Sequence, residues 1–369
     1  MEISWWAVDF KTGVRISQVN VKSSGKLARI IGLPTDTTVS VRCSHDGVVV
    51  PGWDEATTPG RMMLVAVDAD GDQIIWGGLV RRRTSDVNDA WVDCSADTLE
   101  RYLQRRYINT PLTWNDVDPT QVAVDVLGQV TGLAPLVVDA KMVGHPIVRG
   151  FYDITDNKRV GDVLDDLAGL STGIEWTVDL EWTDAAHTQM RYVVRISPRL
   201  GTPGGVAATQ WTMPGCVTGG TFIEDFGTET GANDIIALSS GEGESKPRST
   251  RYEDTLLLAS YARFERRFTP ATSITSTSTL DQYAEAELAA TRLGLSQLTI
   301  TANLDAAPQV NRDWWLGDDI DVHITSPRFP RQVGTDGFWV PGYSRRLRTV
   351  GWELDLDART IVPRIKEAA

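Results

Sequence analysis

The strongest constraint on this chain's fold is a change in hydrophobic period along it. The period is two over the first hundred residues, helical through the middle, and two again towards the end. Residues 1–95 read as β throughout. The stretch 14–21 alternates and 38–42 is rich in β-branched residues. The apolar runs 62–67 and 73–80 flank Asp70-Gly71. That dipeptide tolerates the positive φ angles a two-residue hairpin requires. Arg81, Arg82 and Arg83 close the second run, and 90–94 forms one more short strand.

In the middle, Ser95 is expected to cap a helix carrying Leu99, Tyr102 and Leu103. Asp118, Pro119 and Gln121 make a helix start: a cap, a first-turn proline, and a Gln three positions on from the cap. Ala123, Val126, Leu127 and Val130 give that helix one apolar face. Val160, Leu164, Leu167 and Ala168 form the stripe of a third helix, and Gly173 lies soon after its end. Strands resume at 173–180 and 190–196, and 200–205 reads as a linker. The second β-region starts near Trp211. One helix interrupts it at 279–294, with Thr279 as cap and Gln282 completing a capping box. The closing strands 352–356 and 360–365 flank a turn at Asp357-Ala358. The expected class is α+β, mainly β. A first β-module covers 1–95, a helical and mixed α/β region 96–209, and a second β-module 210–369. No residue-level repeat links the two modules.

With 41% hydrophobic residues the 369-residue chain can bury a core, and it has no apolar run near twenty residues. The opening MEISWWAVDF has no basic-then-apolar leader pattern, so no secretory signal is expected. Cys43, Cys94 and Cys216 are odd in number and dispersed, which argues against a disulfide framework or a zinc site. They read as buried thiols of a protein made in a reducing cytoplasm. A net charge of -13 leaves little capacity to neutralise phosphates, so the chain is not expected to grip nucleic acid. The acidity fits two readings: a surface that DNA passes without sticking, or a charge that keeps the protein soluble.

Catalytic motifs are not expected. His45, His145, His187 and His323 do not pair with another His or a Cys at metal-ligand spacing. Asp68 to Asp72 starts like a calcium loop, but Gln73 and Leu79 occupy the positions of its sharp-turn Gly and bidentate Glu. Gly241-Glu242-Gly243-Glu244 is glycine-rich but acidic, so its carboxylates would repel a phosphate. Asp162, Asp165 and Asp166 read as the wet face of a helix, and Asp318, Asp319 and Asp321 as a strand opening. No catalytic, cofactor-binding or metal-binding residue is assigned, and no cofactor is expected. Two basic clusters stand out, Arg81-Arg82-Arg83 and Arg345-Arg346 with Arg348. They fit solvent-facing strand positions or forked inter-subunit contacts to acidic loops such as Asp318 and Asp319.

Several motifs fall in the order found in one family. They are Pro59-Gly60-Arg61 through Trp76-Gly77-Gly78, the helix Leu99 to Arg106, Ala232 to Ile236, 241–244, 316–322, and Tyr343 to Arg346 with Trp352 to Leu354. In these the chain resembles the minor tail proteins of siphophages of actinobacterial hosts, themselves similar to the central baseplate hub of contractile-tailed phages. The stretch 131–205 carries no matching motif. The resemblance implies two small β-barrel modules per subunit, and a homotrimer that presents six barrels in a ring. Such a ring joins a six-fold tail tube to a three-fold tip and surrounds the DNA exit path. The implied partners are further copies of the chain, the distal tail or tail tube protein, the tape measure protein, and a central fibre or other minor tail proteins. Genomic DNA only passes through. The implied location is the virion tail tip, after synthesis in the host cytoplasm, with no membrane span and no enzymatic activity. The chain ends just after its last expected strand, which argues against an appended cell-wall hydrolase. The alternatives are a hexameric distal tail adaptor, a tail-tip cell-wall-degrading enzyme, or a receptor-binding module using Trp5, Trp6, Trp314 or Trp315.

Overall fold

A computed structural model describes residues 1–68, 73–132, 134–145, 148–152, 154–170, 173–203, 209–239, 246–270, 277–335 and 337–367. The chain divides into two compact units, Met1–Gly219 with Ile300–Ala369, and Gly220–Thr299.

The apolar run at 62–67 becomes the strand Met62–Asp68, buried at all seven positions. Both of its faces must therefore be covered. Met63, Val65 and Val67 share one core cluster with the middle region, while Met62, Leu64 and Ala66, pointing the other way, are equally buried. This strand lies inside a seven-stranded sheet in the order Arg15–Val19, Ile3–Asp9, Met62–Asp68, Ile74–Thr84, Trp91–Asp97, Asp36–Arg42, Val21–Ser24. Every pairing is antiparallel. The expected hairpin partners Met62–Asp68 and Ile74–Thr84 do pair, although Asp70-Gly71 itself lies outside the described residues. The two edge strands, Arg15–Val19 and Val21–Ser24, are consecutive in the chain. One run therefore bridges both edges and curls the sheet into a small barrel.

A second sheet follows the same plan. Its order is Thr209–Met213, Asp319–Ile324, Tyr343–Asp355, Thr360–Glu367, Leu295–Asn303, Val217–Asp225. Again the two edges, Thr209–Met213 and Val217–Asp225, are neighbours in sequence. In both barrels the strand after the bridging run pairs with the last strand of a three-stranded meander: Asp36–Arg42 with Trp91–Asp97, and Leu295–Asn303 with Thr360–Glu367. The meanders share a bulge as well. Register shifts at Arg81 in one and at Val350 in the other. Just past it, Arg82 pairs with Ser95 and Gly351 with Arg364, partners thirteen residues apart in each case. The first barrel has one strand more, Ile3–Asp9, between its meander and its bridging run.

Tyr343–Asp355 is long enough to serve three partners. One edge pairs with Asp319–Ile324 and then with Leu27–Ile30, and the other with Thr360–Glu367. The connection between the first barrel's strands Val21–Ser24 and Asp36–Arg42 thus donates a strand to the second barrel. Gly351 allows the approach: a Cβ there would meet the Arg29 carbonyl oxygen at 2.8 Å. The indole of Trp76 donates to the Ala28 carbonyl at 3.2 Å on the same strand.

The middle region supplies the helices Leu99–Leu103, Pro119–Gly128 and Val160–Ala168, and the sheet Leu136–Ala140, Met190–Ser197, Glu175–Trp182. The expected stripe of the third helix is buried at Val160, Leu164 and Leu167. Asp118 caps Pro119–Gly128, accepting from the Thr120 N–H at 2.8 Å, as its sequence indicates. Ser95 does not cap a helix. It lies within Trp91–Asp97, paired with Arg82 and Thr38, and the helix starts four residues later, after Thr98. Ladder pairing on both sides outweighed a local capping preference.

The second unit holds the sheet Tyr252–Glu253, Asp234–Ala237, Glu265–Phe268 and the helix Thr277–Thr291. Its core is small: Ala232, Ile235, Ala237, Leu280 and Ala284. The helix starts at Thr277, so Thr279 lies inside it and not at its cap.

Candidate intersubunit surface

Most of the charged residues singled out in the sequence have partners inside the chain. Arg81 lies 3.0 Å from Asp97. Arg83 donates to the Asp54 carboxylate at 2.5 Å and sits 5.5 Å over the Trp53 ring. Arg346 donates two bonds to Asp321, at 2.8 and 3.0 Å. That guanidinium holds the Asp321 carboxyl below its ordinary range. Asp319 is nearly buried and 2.5 Å from Arg199. Arg82 and Arg345 are exposed, and neither has an ion-pair partner among the described residues.

Asp318 works through backbone contacts. It accepts from the N–H of Trp315 at 2.8 Å and of Thr202 at 2.7 Å. Gly317 just before it has φ +97, and a Cβ there would meet the Leu200 carbonyl oxygen at 2.4 Å. The Leu-Gly-Asp-Asp motif is thus a joint. Its glycine lets the segment leaving the middle region pass at backbone contact, and its aspartates tie that segment down. Arg348 completes the joint. It donates to Glu175 at 2.6 Å, to the Leu200 carbonyl at 2.9 Å, and to the Gly317 carbonyl at 3.2 Å. Burial alone would raise the Glu175 carboxyl, but Arg348 and the Leu200 N–H hold it below the usual range.

A second network links the middle sheet to the strand Leu27–Ile30. Arg29 is 2.8 Å from Asp179 and donates to Thr177 at 2.8 Å and to the Val178 carbonyl at 2.9 Å. Arg195 reaches Asp179 and Asp139, each at 2.6 Å, and also Glu181. Buried Glu100 accepts from the Val178 N–H at 3.0 Å. Burial pushes the Asp179 carboxyl up, but the two guanidiniums outweigh it and hold it low. A cleft of about 390 Å³ lies beside this network, lined in part by Trp76, Leu99, Trp182, His187 and Trp315. Its carboxylates Asp179 and Glu181 are both bound to arginine. The sequence reading missed this network. A signal was present in charges two and four residues apart on facing strands: Asp179 with Glu181, and Arg191 with Arg195.

Among the described residues no three His, Cys, Asp or Glu side chains are grouped to hold a metal ion. Burial pushes the Cys94 thiol up to about 11, away from reactivity. Trp5 and Trp314 are core residues, Trp6 lies 4.2 Å under the Arg15 guanidinium, and Trp315 is 53% exposed. The segment 241–244 lies outside the described residues.

No protein-family model matches the chain, and no curated protein sequence matches it. Solved structures do. The prophage MuSo2 43 kDa tail protein from Shewanella oneidensis aligns over 100% of this chain and 99% of its own, with TM-score 0.62 and 12% identity. The chain has a phage tail-protein fold. A tail protein from Neisseria meningitidis MC58 aligns over 100% and 97%, with TM-score 0.61 and 15% identity. The tail-protein fold extends to an E. coli type VI secretion component described as similar to the T4 tail proteins gp27 and gp5. That protein aligns over 97% of this chain and 77% of its own, with TM-score 0.50 and 10% identity.

Proposed function

We propose that the chain is a structural component of a phage tail, a hub at the tail tip, in which three copies form a ring of six barrels. The carrying observation is that one chain holds two barrels that share a meander, a bridging run and a bulge position, and that differ by the one strand Ile3–Asp9 added to the first. Two unlike copies of one module let a three-fold assembly offer six similar units to a six-fold tube and three-fold symmetry below. A closed three-fold ring needs a head-to-tail interface with different patches on its two sides, and unlike barrels supply them. The tail-protein fold of the structural neighbours supports the virion setting. In this reading the partners are the tube or distal tail protein above, the tape measure protein, and a central fibre below. DNA passes through without binding, consistent with a net charge of -13.

Native mass measurement of the purified protein, together with a reconstruction of the particle, tests the proposal. A three-fold ring beneath the tube is the expected result. A six-fold ring at the tube end would replace this reading with a distal tail adaptor. Reproducible release of fragments from host cell walls would overturn the non-enzymatic role.

A further inference from the structure

The two barrels differ at one edge, and the difference points to a contact between copies. In the second barrel, the meander strand Tyr343–Asp355 leaves Asp319–Ile324 after Arg348. Beyond the bulge its freed edge is filled by Leu27–Ile30, with Gly351 opposite Ile30 and Leu354 opposite Leu27. In the first barrel, Ile74–Thr84 likewise leaves Met62–Asp68 at Leu79, and its bulge follows. The last backbone bond to that edge is from the Gly60 N–H to the Val80 carbonyl, at 2.7 Å. From Arg81 to Thr84 no backbone hydrogen bond reaches the edge among the described residues, and Arg81, Arg82 and Thr84 are exposed. An open edge of this kind is a template for one more strand.

The donor follows from strand order. Leu27–Ile30 belongs to the connection between the first barrel's bridging run and its next strand. The counterpart in the second barrel is the connection between Val217–Asp225 and Leu295–Asn303, residues 226–294. We infer that a described part of this connection in one copy (226–239, 246–270 or 277–294) lies along the Arg81–Thr84 edge of the next copy, repeating between chains the join that Leu27–Ile30 makes within one. Two further features fit this occupant. Arg82 faces solvent without an ion-pair partner among the described residues, while 226–294 carries ten carboxylates against seven Lys and Arg. The same connection exposes large apolar side chains, Leu256 at 86% and Leu293 at 70%, which a neighbouring copy would cover.

This inference rests on the ring reading above, and the test separates the two. A photo-crosslinking amino acid replaces Arg82 in the full chain, and isotopically light and heavy copies are mixed before irradiation. Native mass spectrometry gives the oligomer, and peptide mapping gives the crosslink. The expected result is a trimer with light-to-heavy crosslinks from position 82 into the described parts of 226–294. A trimer whose crosslinks fall elsewhere overturns this contact and leaves the ring standing. A protein that stays monomeric at every concentration overturns both. As a second arm, Arg82→Glu is expected to raise the concentration at which the trimer dissociates by about tenfold, with unchanged Tm of the dilute monomer. An unchanged dissociation concentration counts against the contact.

Discussion

Where the second barrel carries Gly351 and Trp352 just past its bulge, the first carries Arg82 and Arg83. The strand positions correspond and the side chains are opposite in character. Trp352 is fully buried and Gly351 lies under Leu27–Ile30, because a strand from elsewhere in the chain covers that edge. In the first barrel no described strand pairs with that edge: Arg82 is solvated, and Arg83 is held by Asp54 and Trp53. Backbone topology was kept while the surface was assigned by what lies against it. This explains how one plan can recur with no sequence repeat.

The largest expected effect lies at this pair. Trp352→Ala should cost about 3–5 kcal/mol by leaving a cavity in the second barrel. Arg83→Ala, at the corresponding position, loses a pairing with Asp54, itself 71% exposed, and should cost about 1 kcal/mol or less. Denaturant unfolding of both variants checks the contrast. Equal losses would mean that the two positions do not correspond as the register indicates.

Next in size is the joint behind the second barrel. Arg348→Ala leaves Glu175, a half-buried carboxylate, without its main partner, and should cost about 3 kcal/mol. Arg345→Ala, three residues earlier on the same strand, should be nearly silent. If the two variants unfold alike, Arg348 is not the tie between the middle sheet and the barrel.

Acid should reveal the same asymmetry. Glu175 and Asp321 both have carboxyls held below their ordinary values by arginine. A folded value below the unfolded one gives stability that is present above about pH 4 and is lost as pH falls through the folded value. Both partners, Arg348 and Arg346, lie on Tyr343–Asp355. Amide protection factors, corrected for the intrinsic pH dependence of exchange, should fall in that strand between about pH 6 and about pH 3 more than in Ile74–Thr84. The reverse order would remove these pairs from the account.

Local pattern revealed the elements but not their partners. The apolar run at 62–67, the Asp118 cap and the turn at 357–358 are written in short stretches, and each forms where its residues indicate. Leu27–Ile30 gave no sign of leaving the first barrel, because its choice of partner depends on residues more than three hundred positions away. The bridging runs were hidden for the same reason: pairing at opposite edges changes nothing in the alternation of a strand. Within the basic clusters, Arg82 reads like Arg81 and Arg345 like Arg346. What separates them is a carboxylate set opposite by the fold, Asp97 for Arg81 and Asp321 for Arg346.

The smallest effect is also the sharpest test of the open edge. Arg82 lies past the bulge, exposed and without an ion-pair partner among the described residues, so within a single chain it has little to lose. Arg82→Ala should change the stability of the isolated monomer by less than about 0.5 kcal/mol, the range for surface positions without a structural role. Differential scanning calorimetry at a concentration low enough to exclude assembly measures this. A loss above about 1.5 kcal/mol would mean that the guanidinium already has work inside the chain. The edge would then be closed within the monomer, and the contrast with Gly351 would disappear.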